Sequence, residues 1–99
     1  MTSVELALRK DGRFLALRAD NISNLGARCV SLSPLSKGSA LITGSYDIPA
    51  ASLRSRAVFT NTMMTGPYRG AGRPEAAYVI ETLVDTAARD LKMDPAELR

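Results

Sequence analysis

Val4, Leu6 and Leu8 alternate with Glu5, Ala7 and Arg9 at the start of the chain, the two-residue period of a strand buried on one face. Lys10-Asp11-Gly12-Arg13 follows, and an Asp-Gly pair is favoured at the centre of a two-residue type I′ hairpin turn. That turn predicts Leu8 opposite Leu15, Leu6 opposite Leu17 and Val4 opposite Ala19 on one face, with Glu5 opposite Arg18 on the other. The charge pair is worth about 0.2–1 kcal/mol, and a slip of one residue would scatter both sets. The second strand runs on through Asp20-Asn21 towards Gly26, where polar residues and glycine weaken the pattern.

Residues 31–44 carry Pro34, Gly38, Gly44 and several serines, and read as a connection with a short helical turn around Lys37 to Leu41. Tyr46-Asp47-Ile48 reads as a short strand closed by Pro49. Residues 51–60 read as a longer one, with Leu53, Ala57 and Phe59 on one face and Arg54, Arg56 and Thr60 on the other. Beyond a loop at 61–73, apolar positions 76, 80, 83, 84, 87 and 91 form one helical stripe that Glu81, Thr82, Asp85, Arg89 and Asp90 largely avoid. Pro74 suits the first turn of that helix, Glu75 complements its positive end, and Arg89 and Lys92 its negative end. Asp94-Pro95-Ala96-Glu97 starts a second helix with an N-cap, a first-turn proline and a glutamate at capping-box spacing. The expected fold class is α+β: an N-terminal β-hairpin, one or two further strands, and a long amphipathic helix packed on the sheet.

Composition narrows the chemistry. Ninety-nine residues, 45% hydrophobic and 23% charged, suit one small globular domain. The net charge of +3 is too weak by itself to imply nucleic acid. There is no histidine and one cysteine, Cys29, which excludes an internal disulfide, a Cys/His zinc site and Ser/His/Asp or Cys/His catalysis. Cys29 is expected to act as a small apolar residue, and a lone thiol fits a reducing, cytoplasmic setting. No apolar run approaches the roughly 20 residues of a membrane span. Glu5, Asp11, Asp20 and Asp47 are scattered, and Glu81 with Asp85, four residues apart, reads as a solvated helix face rather than a cation site. No catalytic residue and no metal ligand is assigned within these residues.

One segment stands apart. Gly66-Pro67-Tyr68-Arg69-Gly70-Ala71-Gly72-Arg73-Pro74-Glu75-Ala76 runs a glycine- and arginine-rich loop straight into the best helix. Free backbone amides at the positive end of a helix dipole, beside two guanidinium groups, suit a phosphate or pyrophosphate. Gly70 and Gly72 allow positive φ and close approach of a ligand, while Arg69 and Arg73 can each give bidentate hydrogen bonds. The loop is neither a Walker nor a dinucleotide motif. A tight strand-to-helix turn with solvated arginines fits the same residues, and the sequence leaves both readings open. Arg54 and Arg56 could extend a basic stripe for nucleic acid, but no aromatic is interleaved to stack bases; a solvated or partner-facing strand fits them better.

Ala57-Val58-Phe59-Thr60-Asn61-Thr62 and Tyr68-Arg69-Gly70-Ala71-Gly72-Arg73-Pro74-Glu75-Ala76 closely resemble the molybdenum-binding large subunit of the xanthine dehydrogenase, aldehyde oxidase and aerobic carbon monoxide dehydrogenase family. The match continues through Ile80 to Asp85 and Asp94 to Arg99, and Asp11 to Asp20 looks like the family's hairpin. The form is most like the form II subgroup. The resemblance implies a hydroxylase whose molybdenum–molybdopterin cofactor, often the cytosine dinucleotide form, inserts water-derived oxygen into a C–H bond of an aldehyde or aromatic heterocycle. It also implies flavin and iron–sulfur partners on other domains or subunits. The loop matching Tyr68 to Gly72 would lie beside the metal, with Arg69 in the cofactor's surroundings. Together with the anion argument, this makes Tyr68, Arg69, Gly70, Ala71, Gly72 and Arg73 the candidate cofactor-binding residues. Carbon monoxide oxidisers carry a copper-binding cysteine directly after the Tyr-Arg pair, where this chain has Gly70, which argues against that substrate. The family's glutamate base and other cofactor loops have no counterpart here. Residues 1–99 are therefore expected to be one domain excised from a larger subunit, inactive and cofactor-free alone, partnered by the rest of that subunit and prone to self-association. A stand-alone assembly module that keeps the fold without the chemistry is the alternative.

Overall fold

The computed structural model describes residues 1–99. Three strands and three helices follow one another: β1 (Thr2–Leu8), β2 (Phe14–Gly26), α1 (Leu35–Ala40), β3 (Ala51–Phe59), α2 (Arg73–Leu91) and α3 (Pro95–Leu98). The sheet order is β1-β2-β3, with β1 antiparallel and β3 parallel to β2. A parallel partner needs a crossover, and α1 with the turns around it supplies one. The result is α+β, as the sequence pattern implies.

The hairpin departs from expectation near its tip. Gly12 lies at φ +91, but Asp11 does not enter the left-handed region, so the turn is not type I′, which requires both. The Gly12 amide donates to the Arg9 carbonyl at 3.0 Å and the Arg9 amide to Arg13 at 2.9 Å. That closes a three-residue loop of Lys10, Asp11 and Gly12. Asp11 Oδ1 accepts from the Arg13 amide at 3.1 Å, a local bond that favours this turn. Leu8 consequently faces Phe14 rather than Leu15, and a bulge beside Ala7 restores the expected pairs Leu6–Leu17, Glu5–Arg18 and Val4–Ala19. The extra residue in the turn and the extra residue in the strand cancel.

Tyr46-Asp47-Ile48 forms no strand. The Gly44 amide donates to Leu41 and the Tyr46 amide to Thr43, so donors a ladder would need are used in turns. The Tyr46 ring instead meets Phe14 edge-on, with centroids 5.5 Å apart.

One face of the sheet is apolar. Leu17, Ile80, Val84, Ala87, Ala88 and Leu98 form the buried core, with Leu6, Leu8, Phe14, Leu83 and Leu91 packed against it. Helix α2 thus buries Ala76, Ile80, Val84, Ala87 and Ala88, spaced as one side of a helix. The other sheet face is ionic: Arg18 Nε donates to Glu5 at 3.0 Å, and Arg56 Nη2 reaches both Asp20 oxygens at 3.0 Å. The far end of β3 is bare, with Val58 and Phe59 exposed, although parallel strands are ordinarily covered.

Ile80, 2% exposed, is among the largest fully enclosed side chains. Ile80→Ala should lower folding stability by about 2–5 kcal/mol, read as a fall in the urea midpoint; an unchanged midpoint would contradict this core.

Candidate functional site

The candidate loop is held at both ends. At its start, Asn24 Oδ1 accepts from the Gly26 amide at 2.7 Å and from Thr60 Oγ1 at 2.6 Å, while Nδ2 donates to Thr62 Oγ1 at 3.0 Å. The Ala27 amide donates to Thr62 and the Thr65 amide to Leu25. Gly26, at φ +77, lies so close beneath this segment that a Cβ there would sit 2.4 Å from the Met63 carbonyl. At its end, Gly72 at φ +89 is the N-cap of α2. A Cβ on Gly72 would lie 2.2 Å from the Pro34 carbonyl and 2.5 Å from the Gly38 amide nitrogen.

Between these anchors the backbone folds in tight turns. The Ala71 amide donates to Tyr68 at 2.8 Å and the Arg73 amide to Gly70 at 3.0 Å. Gly70 at φ +92, Ala71 at φ +35 and Gly72 at φ +89 lie consecutively in positive-φ space. For Ala71 this is a sparsely populated conformation. The amides of Arg69 and Gly70 donate to no group of the chain. No side chain caps the start of α2, so its partial positive charge is uncompensated except by Glu75 in the first turn. The Arg69 guanidinium forms no ion pair, whereas Arg73 Nη1 bends back to the Gly70 carbonyl at 3.4 Å. Tyr68 is 87% exposed.

Tyr68, Arg69 and Arg73 are exposed, Gly70 and Ala71 half-buried and Gly72 buried, and two corrections follow. Two of the loop amides, those of Ala71 and Arg73, are already bonded. The close approach that Gly72 permits is to α1 of this same chain, not to a ligand. What remains fits a negative group: unclaimed amides, those of Arg69 and Gly70 among them, an unpaired guanidinium and an uncapped helix start. The supports Asn24, Gly26, Gly38, Thr60 and Thr62 lie outside the residues that the sequence marks as the site. Only Gly38 left a trace, because glycine inside a helix costs roughly 1 kcal/mol and calls for a packing reason.

Glu81 and Asp85 lie on a half-exposed helix face, and both are paired. Arg99 Nη2 donates to Glu81 Oε2 at 2.8 Å and to Asp85 Oδ1 at 2.6 Å, and Tyr46 Oη donates to both Glu81 oxygens at 2.8 and 2.9 Å. Hydrogen bonds from Arg99, then from Tyr46, hold the Glu81 carboxyl below its ordinary value. Burial, then the bond to Glu81, pushes the Tyr46 phenol up. No three His, Cys, Asp or Glu side chains come together to hold a metal ion. Cys29 is exposed rather than packed as a small apolar residue, and no helix is long and apolar enough to cross a membrane.

Residues 1–99 match the family model described as molybdopterin cofactor-binding domain. The chain is 42% identical to a carbon monoxide dehydrogenase large chain of Afipia carboxidovorans, over 98% of its own length and 13% of that protein. It is 35% identical to an aldehyde oxidoreductase of Megalodesulfovibrio gigas, over 98% of this chain and 11% of the relative. A solved structure of quinoline 2-oxidoreductase from Pseudomonas putida 86 superposes with a TM-score of 0.91 at 41% identity, covering 99% of this chain and 13% of that one. The chain thus spans only a small part of the relatives it matches.

The Glu81 pairing has a definite acid signature. A carboxyl whose folded value is depressed adds stability that is complete above its ordinary value of 4.5 and is lost as the pH falls through the folded value. Arg99→Gln should flatten the decline in the urea midpoint between about pH 6 and pH 3. Because the groups are partly exposed, the effect is small and weakens with salt. An unaltered pH profile would mean that Arg99 does not govern Glu81.

Proposed function

The chain belongs to the molybdopterin cofactor-binding domain family, and we propose that its 68–73 loop holds the negatively charged part of a molybdenum–pterin cofactor within a longer large subunit. The observation that carries this reading is the unpaired Arg69 guanidinium beside the unclaimed amides of Arg69 and Gly70, next to the uncapped start of a 19-residue helix. Preorganised donors of this kind stabilise charge without rearranging when it arrives. When bound, such a cofactor supplies hydroxylation at a C–H bond with oxygen drawn from water.

In this reading Arg69 and the Arg69 and Gly70 amides hold the anionic group. Gly70, Ala71 and Gly72 shape the backbone around it, Tyr68 flanks it, and Arg73 braces the turn and adds positive charge. Gly70 stands where the family resemblance places a copper-binding cysteine in carbon monoxide oxidisers, so an aldehyde or aromatic heterocycle is the favoured substrate class. The cofactor is proposed in the cytosine dinucleotide form. The general base, further cofactor loops and most of the substrate pocket belong to the rest of the subunit, with flavin and iron–sulfur centres on partner domains or subunits. Residues 1–99 are read as one excised domain whose α2 acts as the amphipathic element packed on the sheet. By themselves they would be inactive, cofactor-free and self-associating, and the parent enzyme would reside in the cytoplasm without binding nucleic acid.

The bare β3 edge, with Val58 and Phe59 exposed, and the exposed Met63 and Met64 in the loop after it favour a second reading: an interaction module that has kept the fold without the chemistry. Arg69→Ala in the intact enzyme, expressed with molybdate, separates the two. A charge-assisted hydrogen bond of about 1.5–3 kcal/mol predicts roughly a ten- to hundredfold loss of cofactor affinity. That loss should appear as low molybdenum per subunit by elemental analysis, with turnover reduced alongside. Unchanged metal content and turnover would overturn the cofactor-loop reading.

A further inference from the structure

We propose that Gly38, in α1, is a positioning residue for the 68–73 loop: it is glycine because the backbone of Gly72 must lie directly against it. The inference rests on the cofactor-loop reading and concerns a residue remote from the loop in sequence. Gly38 sits inside a helix, outside the positive-φ region that favours glycine, so its own backbone accepts any side chain. There glycine weakens the helix relative to alanine, and a compensating reason should be visible in the packing. A Cβ at Gly38 would stand 3.1 Å from the Gly72 carbonyl oxygen, with the Gly72 carbonyl carbon and Cα both at 3.7 Å.

The contact is reciprocal. A Cβ on Gly72 would in turn fall 2.5 Å from the Gly38 nitrogen. The Gly38 amide donates to Pro34 at 2.8 Å, which fixes the first turn of α1 as a firm seat. Gly72 is also the N-cap of α2, and its carbonyl accepts from the Ala76 amide at 3.0 Å. The seat thus bears on the residue where the loop becomes the helix. A methyl at Gly38 must push the Gly72 carbonyl aside by a few tenths of an ångström, and that carbonyl is tied into the first turn of α2. The displacement therefore reaches the Gly70 and Arg69 amides through the two tight turns. Donors that hold an anion lose their effect with shifts of this order.

The test uses the intact enzyme. Gly38→Ala should favour α1 by helix propensity yet lower molybdenum per subunit roughly tenfold at limiting molybdate. It should also change the Mo(V) electron paramagnetic resonance spectrum of the remaining sites and speed amide hydrogen exchange at Ala71 and Arg73. Lys37→Ala, on the same helix but exposed, should alter none of these. Wild-type metal content and spectrum in Gly38→Ala would overturn the proposal. If that variant does not fold, Leu35→Ala serves instead. Leu35 lines the same groove between α1 and the start of α2, and trimming it withdraws atoms from the seam rather than adding them. Its proposal-consistent outcome is the same loss of metal with faster exchange at Ala71 and Arg73; normal retention overturns the positioning role. Arg69→Ala, run in parallel, separates the two ideas. If it empties the enzyme while Gly38→Ala and Leu35→Ala do not, the positioning role falls and the anion loop stands. If none of the three changes metal content, the loop reading falls and the positioning role with it.

Discussion

No carbon atom fits between Gly72 and the first turn of α1, and the geometry of the candidate site depends on that contact. The residue is the last of the loop and the cap of α2 at once. Moving it would shift the loop donors and the start of the helix together. The N-cap has no side-chain bond; apart from the Gly72 carbonyl, which accepts from the Ala76 amide in the first turn of α2, the other loop hydrogen bonds run between Tyr68, Gly70, Ala71 and Arg73. A backbone-to-backbone contact is stiffer than one made through rotatable side chains, which suits a surface that must present amides at fixed positions.

The other end is secured by polar chemistry instead. Asn24 joins the tail of β2 to Thr60 and Thr62, and Gly26 lets the two backbones cross at very short range. The loop is therefore strung between a strand end and a helix seat, while the apolar side of α2 fastens the helix to Leu17 and its neighbours on the sheet. Strand, seat and helix are each held separately, and the stretch between them carries the exposed Tyr68 and Arg69. That division of labour, rigid supports with a short exposed span, is the usual way for a fold to carry a binding loop.

Elements with a strong period were legible in the sequence. The alternation from Val4 to Leu8, the proline-led helix start at Pro74 and the Asp94-Pro95 start each reflect local rules, and Asp94 Oδ1 does accept from the Ala96 amide at 2.6 Å. The loop was legible because glycine and arginine beside a helix start are uncommon together. Contacts between distant residues were not. Tyr46 joins Glu81 across 35 positions, and Arg99 joins Glu81 across 18, so neither has a local signature. Gly38 fell within the expected short helical turn, but its partner Gly72 is not its neighbour in sequence, so the contact itself had no local signature. Tyr46 to Ile48 carried strand-forming residues, yet turn hydrogen bonds and the Phe14 contact outweighed their propensity.

The bulge beside Ala7 has an evolutionary corollary. Without it, the three-residue tip would have displaced Leu6 relative to Leu17 by one position and set the two side chains on opposite faces of the sheet. With it, the pairings deeper in the sheet are insulated from events at the tip. A gene could lengthen or shorten the tip by single codons while a compensating kink forms or vanishes in the strand, leaving the interior untouched. Such a hairpin is tolerant of indels where most two-stranded ribbons are brittle.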